Sequence, residues 1–80
     1  MKKVEIYSTE TCHFCHMAKD FFNVHNIAFT DYNVGKDAQR LVEMREKSGQ
    51  MGVPVIVIDG QEVIVGFDQN RLASALSVSA

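Results

Sequence analysis

Apolar and polar residues alternate from Lys3 to Tyr7, with Val4, Ile6 and Tyr7 supplying the hydrophobic content, and this period of two predicts a strand. Ser8 to Thr11 is short and polar and reads as a loop. From Phe14 the period lengthens. Phe14, Met17, Ala18, Phe21 and Phe22 fall at i, i+3, i+4, i+7 and i+8, a helical stripe that places Met17, Phe21 and Phe22 in the core. His13, His16, Lys19, Asp20 and Asn23 take the other side, and the helix is expected to end near His25-Asn26. Ala28 to Val34, with Phe29 and Tyr32 as bulky members, predicts a second strand that Gly35 breaks.

Asp37 caps or begins a second helix, in which Ala38, Leu41, Val42 and Arg45 share a face and Ser48-Gly49 marks the exit. Pro54 stands immediately ahead of Val55-Ile56-Val57-Ile58, an apolar run suited to a buried strand. Asp59-Gly60 is a hairpin signal, and Glu62 to Val65 forms the returning strand. Gly66-Phe67-Asp68 leads into a last helix, with Asp68 as N-cap and Leu72 and Leu76 on one face. The order βαβαββα predicts an α/β fold, with three helices covering a four-stranded mixed sheet in a single domain over residues 1–80. Its first two strands should be parallel and its hairpin antiparallel.

Eighty residues lie near the size where one hydrophobic core is just adequate, and a hydrophobic fraction of 46% is enough to build it. A formal charge of −2 gives no basic footprint, which argues against nucleic acid as a partner. The longest apolar run, residues 53–58, is far too short to span a membrane. Lys2 and Lys3 are followed by Glu5, Ser8, Thr9 and Glu10 rather than by an apolar segment, so the chain is expected in the cytoplasm. In a reducing compartment a lone pair of cysteines reads as redox-active or metal-binding rather than as a structural staple.

Both cysteines lie in Thr11-Cys12-His13-Phe14-Cys15, at the junction between the first strand and the first helix. The first N–H groups of a helix have no intrahelical partner, and the helix dipole puts partial positive charge there. A thiol at that point deprotonates more readily, and the thiolate is the species that attacks disulfides. Cys12 is therefore the expected nucleophile, and Cys15, one turn on, the expected resolving thiol. His13 either supports the Cys12 thiolate when protonated or simply faces solvent, while a nearby Glu10 acts in the opposite sense. His16 reads as a polar-face residue before a proton relay, and Phe14 is either core or an aromatic rim around the site. The alternative is a metal or iron–sulfur carrier using the same cysteines. Cys12, Cys15 and His16 share one helix face, but tetrahedral zinc normally draws ligands from separated segments, so no metal ligand is assigned.

Ile6-Tyr7, Cys12-His13-Phe14-Cys15, Gly52-Val53-Pro54 and Gly66-Phe67-Asp68 together resemble the glutaredoxins and glutaredoxin-like redoxins of the thioredoxin fold, over nearly the whole chain. The resemblance implies a cis Val53–Pro54 bond beside the cysteines, with the backbone of Val53 holding an extended thiol substrate. It implies further substrate contacts from Pro54, Gly66, Phe67 and Asp68, and no tightly bound cofactor. The chain departs from the family pattern at His13, where proline is usual, and at Thr9 and Met51, where cations often face a glutathione carboxylate. Val65-Gly66 and Asp68-Gln69 replace a Gly-Gly and a pair of acids. The Gly66-Phe67 pair is similar to redoxins that reduce ribonucleotide reductase and draw electrons from thioredoxin reductase. Expected partners are a disulfide-containing protein substrate and, as electron donor, thioredoxin reductase or glutathione, with the chain itself a monomer. Phe67 is a docking residue or a core plug, and Asp68 is first of all a helix cap.

Overall fold

Residues 2–78 are described by a computed structural model; residues 1, 79 and 80 lie outside them. The elements follow the predicted order: β1 (Val4–Ser8), α1 (His13–Val24), β2 (Thr30–Asn33), α2 (Ala38–Ser48), β3 (Val55–Ile58), β4 (Glu62–Val65) and α3 (Gln69–Leu76). The sheet runs β2-β1-β3-β4, with β1 parallel to β2 and antiparallel to β3, and β3 antiparallel to β4. This is the mixed sheet of the thioredoxin-like fold.

Central position explains why β1 and β3 are buried along their whole length. Every second side chain faces the opposite side of a sheet, so each central strand feeds two cores. Val4, Ile6, Ile56, Ile58 and Ile64 meet Ala18, Phe21 and Phe22 of α1 and Leu72 and Ala73 of α3. Tyr7, Val55 and Val57 face the other way, against Met44 of α2 and Val34. Glu5 points to this second face and is buried at 6% exposure, a feature that the alternation of Lys3–Tyr7 gives no sign of.

The helix ends follow their capping residues. Asp37 and Asp68 have extended backbones, and their carboxylates accept from the amides of Arg40 (3.2 Å) and Arg71 (3.1 Å). α2 stops at Gly49, whose left-handed backbone (φ 74°) costs little without a Cβ. Asp59 and Gly60 also turn left-handed to close the β3–β4 hairpin.

Four expectations need correction. Ser8 belongs to β1 rather than to the loop, because its backbone pairs with Asn33 and its hydroxyl donates to Asp31 at 2.6 Å. β2 is shorter than residues 28–34; Phe29 precedes it and packs on Phe22 with ring centroids 5.2 Å apart. Met17 lies at the surface, 37% exposed, while Cys15, Ala18, Phe21 and Phe22 form the buried arc of α1. The apolar stripe is wider than the arc the sheet can cover. In α2 the same effect leaves Val42 exposed and makes Met44 the buried residue, with Leu41 beside it.

Candidate active site

Three segments converge at one end of the sheet because the register puts them there. Tyr7 pairs with Val55 and Val55 with Val65, so the carboxyl end of β1, the start of β3 and the end of β4 are level. The Cys12 loop leaves β1 at this end, Val53-Pro54 enters β3 here, and Gly66-Phe67-Asp68 leaves β4 here. Open α/β sheets present ligands at the carboxyl ends of their parallel strands for the same topological reason.

Cys12 is the N-cap of α1, extended in backbone (φ −81°, ψ 111°), and its sulfur accepts from the amide of Cys15 at 3.1 Å. The Cα atoms of Cys12 and Cys15 are 5.2 Å apart and their sulfurs are joined as a disulfide. The two halves of the bridge are unequal. Cys12 is half-buried and reachable from solvent, whereas Cys15 is fully buried. An amide already aimed at the Cys12 sulfur, backed by the unpaired N–H groups of the first turn, stabilises negative charge there once the bridge opens.

The loop into Cys12 is held from two sides. The Glu10 carboxylate pairs with Lys36 Nζ at 2.7 Å, from the turn after β2, and accepts from Nδ2 of Asn33, the last residue of β2, at 3.4 Å. The His16 ring places Nε2 2.9 Å from the Glu10 carbonyl, and since a carbonyl only accepts, Nε2 must donate. His16 thus ties the first turn of α1 to its own lead-in loop. Nothing in the sequence signals this brace, because Lys36 comes from a separate turn and the His16 partner is a backbone atom. Glu10, expected to oppose the thiolate, is drawn toward Lys36. His13 is exposed, with its ring edge-on to Phe14 at 5.6 Å. Phe14 itself is 57% exposed, so it is rim and not core.

Val53–Pro54 is cis, with Pro54 buried and Val53 half-buried. The Gly66 amide donates to the Pro54 carbonyl at 2.8 Å, which fastens the β4 exit to this segment, and Gly66 has the left-handed backbone (φ 82°) that favours glycine. Phe67 is half-buried, its ring edge-on to Phe21 at 6.4 Å, so it is partly a core plug while keeping an exposed edge. The Asp68 carboxylate is committed to capping α3. Met51 is 54% exposed, and Thr9 lies half-buried against Gly35. No three His, Cys, Asp or Glu side chains gather into a metal-ligating group among the described residues.

The disulfide that caps α1 and the cis Val53–Pro54 bond thus stand at the same end of the sheet. The glutaredoxin family model matches residues 4–63. The chain belongs to the glutaredoxin family. It is 48% identical over 69 residues, covering 86% of this chain and 91% of the relative, to an uncharacterized glutaredoxin-like 8.6 kDa protein of the rubredoxin operon of Clostridium pasteurianum. It is 38% identical over 63 residues to glutaredoxin 3 of Escherichia coli K12, covering 79% of this chain and 76% of that one. Among solved structures, a point mutant of the thioredoxin-like protein BC3987 superposes with a TM-score of 0.90 at 33% identity, covering 99% of this chain and 100% of that one. Family membership and the bonded Cys12–Cys15 pair together establish a thiol–disulfide redox role.

A second polar cluster, which the sequence reading missed, sits under α2. The Tyr7 hydroxyl donates to Glu43, and Arg40 bonds both Glu43 oxygens at 3.2 Å. Arg40 also lies 4.0 Å over the Tyr32 ring, and the Tyr32 hydroxyl donates to buried Glu5 at 2.8 Å. The bond from Tyr7 holds the Glu43 carboxyl below its ordinary range. Burial, then the bond to Glu43, pushes the Tyr7 hydroxyl up, and the bond to Glu5 does the same for Tyr32. These groups are engaged with one another and belong to the packing of α2.

Proposed function

We propose that this protein is a dithiol–disulfide oxidoreductase that reduces protein disulfides. The Cys12 thiolate attacks a substrate disulfide, forming a bond to one substrate sulfur and expelling the other as a thiolate. Cys15 then loses its proton, attacks the Cys12 sulfur and releases the second substrate thiol. The substrate gains two electrons, and the Cys12–Cys15 bridge holds the oxidised equivalent until a donor reduces it. The observation that carries this reading is the inequality of the bridge: a solvent-reachable sulfur at the helix N-cap, bonded to a fully buried one. An incoming disulfide meets Cys12 first, and only the captured intermediate is within reach of Cys15. Alkylation of the reduced protein at mildly acidic pH tests the roles, with Cys12 expected to react first; equal rates at the two cysteines would remove the assignment.

Val53, Pro54, Gly66 and Phe67 form the substrate rim in this reading, with Asp68 shaping it through the cap of α3. The electron donor is thioredoxin reductase rather than glutathione. Glutathione carries two carboxylates, and where the family resemblance sets cations opposite them this chain has Thr9 and Met51, neither of which is charged. A helix N-terminus alone contributes about 0.3–1 kcal/mol toward an anion at an exposed site, too little for strong selection. Exposed Phe14, Met51 and Val65 instead give the site end an apolar rim suited to a protein. The protein acts as a cytoplasmic monomer in this reading. Coupled assays with NADPH and thioredoxin reductase, against NADPH, glutathione and glutathione reductase, are expected to favour the first; turnover through glutathione alone would reverse the choice of donor.

A further inference from the structure

α1 carries large apolar side chains on its solvent side as well as on its core side. Met17 is 37% and Val24 76% exposed, and between them lie Phe21 and the edge of Phe67. These residues border an open groove of about 480 Å³, with Asp20 and His25 on its rim. The groove lies outside the redox bridge and the Val53-Pro54 segment.

Two properties say what it takes. The first is its short distance from the redox site along α1. At 1.5 Å per residue, Met17 stands about 7.5 Å and Phe21 about 13 Å along the helix axis from Cys12. An extended chain advances about 3.3–3.6 Å per residue, so a residue roughly two to four positions from a cysteine joined to Cys12 reaches the groove. The second is charge. Among the described residues Asp20 makes no ion pair, while Lys19 and Lys36 are each taken by another carboxylate. Asp68, at the start of α3 beside Phe67, adds the same sign. His25 is the other titratable lining group, and its ring packs on Phe21 with centroids 4.5 Å apart.

We propose that this groove is a specificity subsite for the protein disulfide substrate: it takes one large apolar side chain two to four positions from the attacked cysteine, followed by a Lys or Arg that meets Asp20. The inference rests on the exchange reading above and narrows its substrate class to disulfides flanked by an apolar–basic pair.

Synthetic peptides test it, each with one cysteine held in a mixed disulfide with thionitrobenzoate, whose release is followed by absorbance in single turnover with the reduced protein. One peptide carries Leu three positions from the cysteine and Lys next to it; a second replaces Leu by Ser, and a third replaces Lys by Glu. The first is expected to react about 10-fold faster than the Ser peptide, the scale on which one apolar pocket discriminates, and about 3-fold faster than the Glu peptide, the scale of an exposed ion pair. Asp20→Lys is expected to reverse the order of the Lys and Glu peptides, and because the readout is a ratio within one protein, a general loss of activity does not disturb it. Equal rates for the three peptides, or an unchanged order in Asp20→Lys, would overturn the subsite while leaving the exchange chemistry in place. No release from any peptide, nor from the symmetrical thionitrobenzoate disulfide itself, would overturn the exchange reading and the subsite with it.

Discussion

On the face that carries α1 and α3, the sheet presents Val4, Ile6, Ile56, Ile58 and Ile64 to Ala18, Phe21, Phe22, Leu72 and Ala73. On the face that carries α2, Tyr7, Val55 and Val57 meet Met44, but Glu5, Tyr32, Arg40 and Glu43 are woven in beside them. The first face needs no particular orientation, because apolar burial is non-directional. It gains α1 as a rigid platform whose N-terminus carries the redox bridge. The second face is directional: Tyr7 and Glu43 tie β1 to α2, and Tyr32 and Glu5 tie β2 to β1. α2 brings few apolar residues of its own, so oriented polar bonds fix what a narrow apolar contact would leave loose. The chemistry therefore hangs on one face, while much of the pH dependence of folding belongs to the other.

The sharpest break in that comparison is made at the bridge. Cys12→Ser is expected to abolish disulfide exchange, whereas Cys15→Ser is expected to accumulate mixed disulfides that mass spectrometry detects after reaction with a peptide disulfide. Substantial dithiol-type activity in Cys12→Ser would show that the two cysteines had been assigned the wrong way round.

Next in size is the apolar face. Phe22, fully buried between β1 and Phe29, loses its contacts and leaves a cavity when truncated. Phe22→Ala is expected to cost about 3–5 kcal/mol by urea unfolding, a large share of the stability of a domain this size. A cost under about 1 kcal/mol would mean that α1 is held by something other than this core.

On the polar face the effect is smaller and depends on pH. Tyr7→Phe removes one bond to a charged acceptor, worth roughly 1.5–3 kcal/mol when fully buried and less here because Glu43 stays partly solvated. The Glu43 carboxyl titrates below its unfolded value of 4.5. Its contribution is therefore present in full above that pH and is lost as pH falls through the lower folded value. The stability gap between wild type and Tyr7→Phe is expected to be constant near neutrality and to close below about pH 4.5. A gap that widens toward acid would contradict the sign of the Glu43 shift.

The smallest change sharpens the contrast between buried and surface charge. Lys36 and Glu10 pair at 2.7 Å with side chains 71% and 64% exposed. Lys36→Ala is expected to cost under about 1 kcal/mol, falling further in high salt. A loss comparable to that of Tyr7→Phe would place this loop pair among the supports of the fold.

Much of this protein is written locally. The periods of two and 3.6, the Asp37 and Asp68 caps, the Gly49 stop and the Asp59-Gly60 turn each fix short-range backbone geometry, so the order of elements, the parallel β1–β2 pair and the antiparallel β3–β4 hairpin were legible in the sequence, whereas the β1–β3 pairing that joins them was not. The Cys12–Cys15 spacing at a strand-to-helix junction was legible for the same reason, since one helical turn sets the distance between the sulfurs. What needed the folded chain was everything that depends on how far a neighbour extends. Met17 and Val42 carry the same apolar signal as Phe21 and Leu41, and only the width of the covering surface leaves the first two in solvent. Glu5 reads as a polar strand residue, and only the arrival of Tyr32 on β2 makes its burial tolerable. The Lys36 brace onto Glu10, and the groove between α1 and Phe67, join segments far apart in the chain. Contacts of that kind are set by packing rather than by spacing, which is why the sequence determined the reacting pair and tertiary structure alone decided its surroundings.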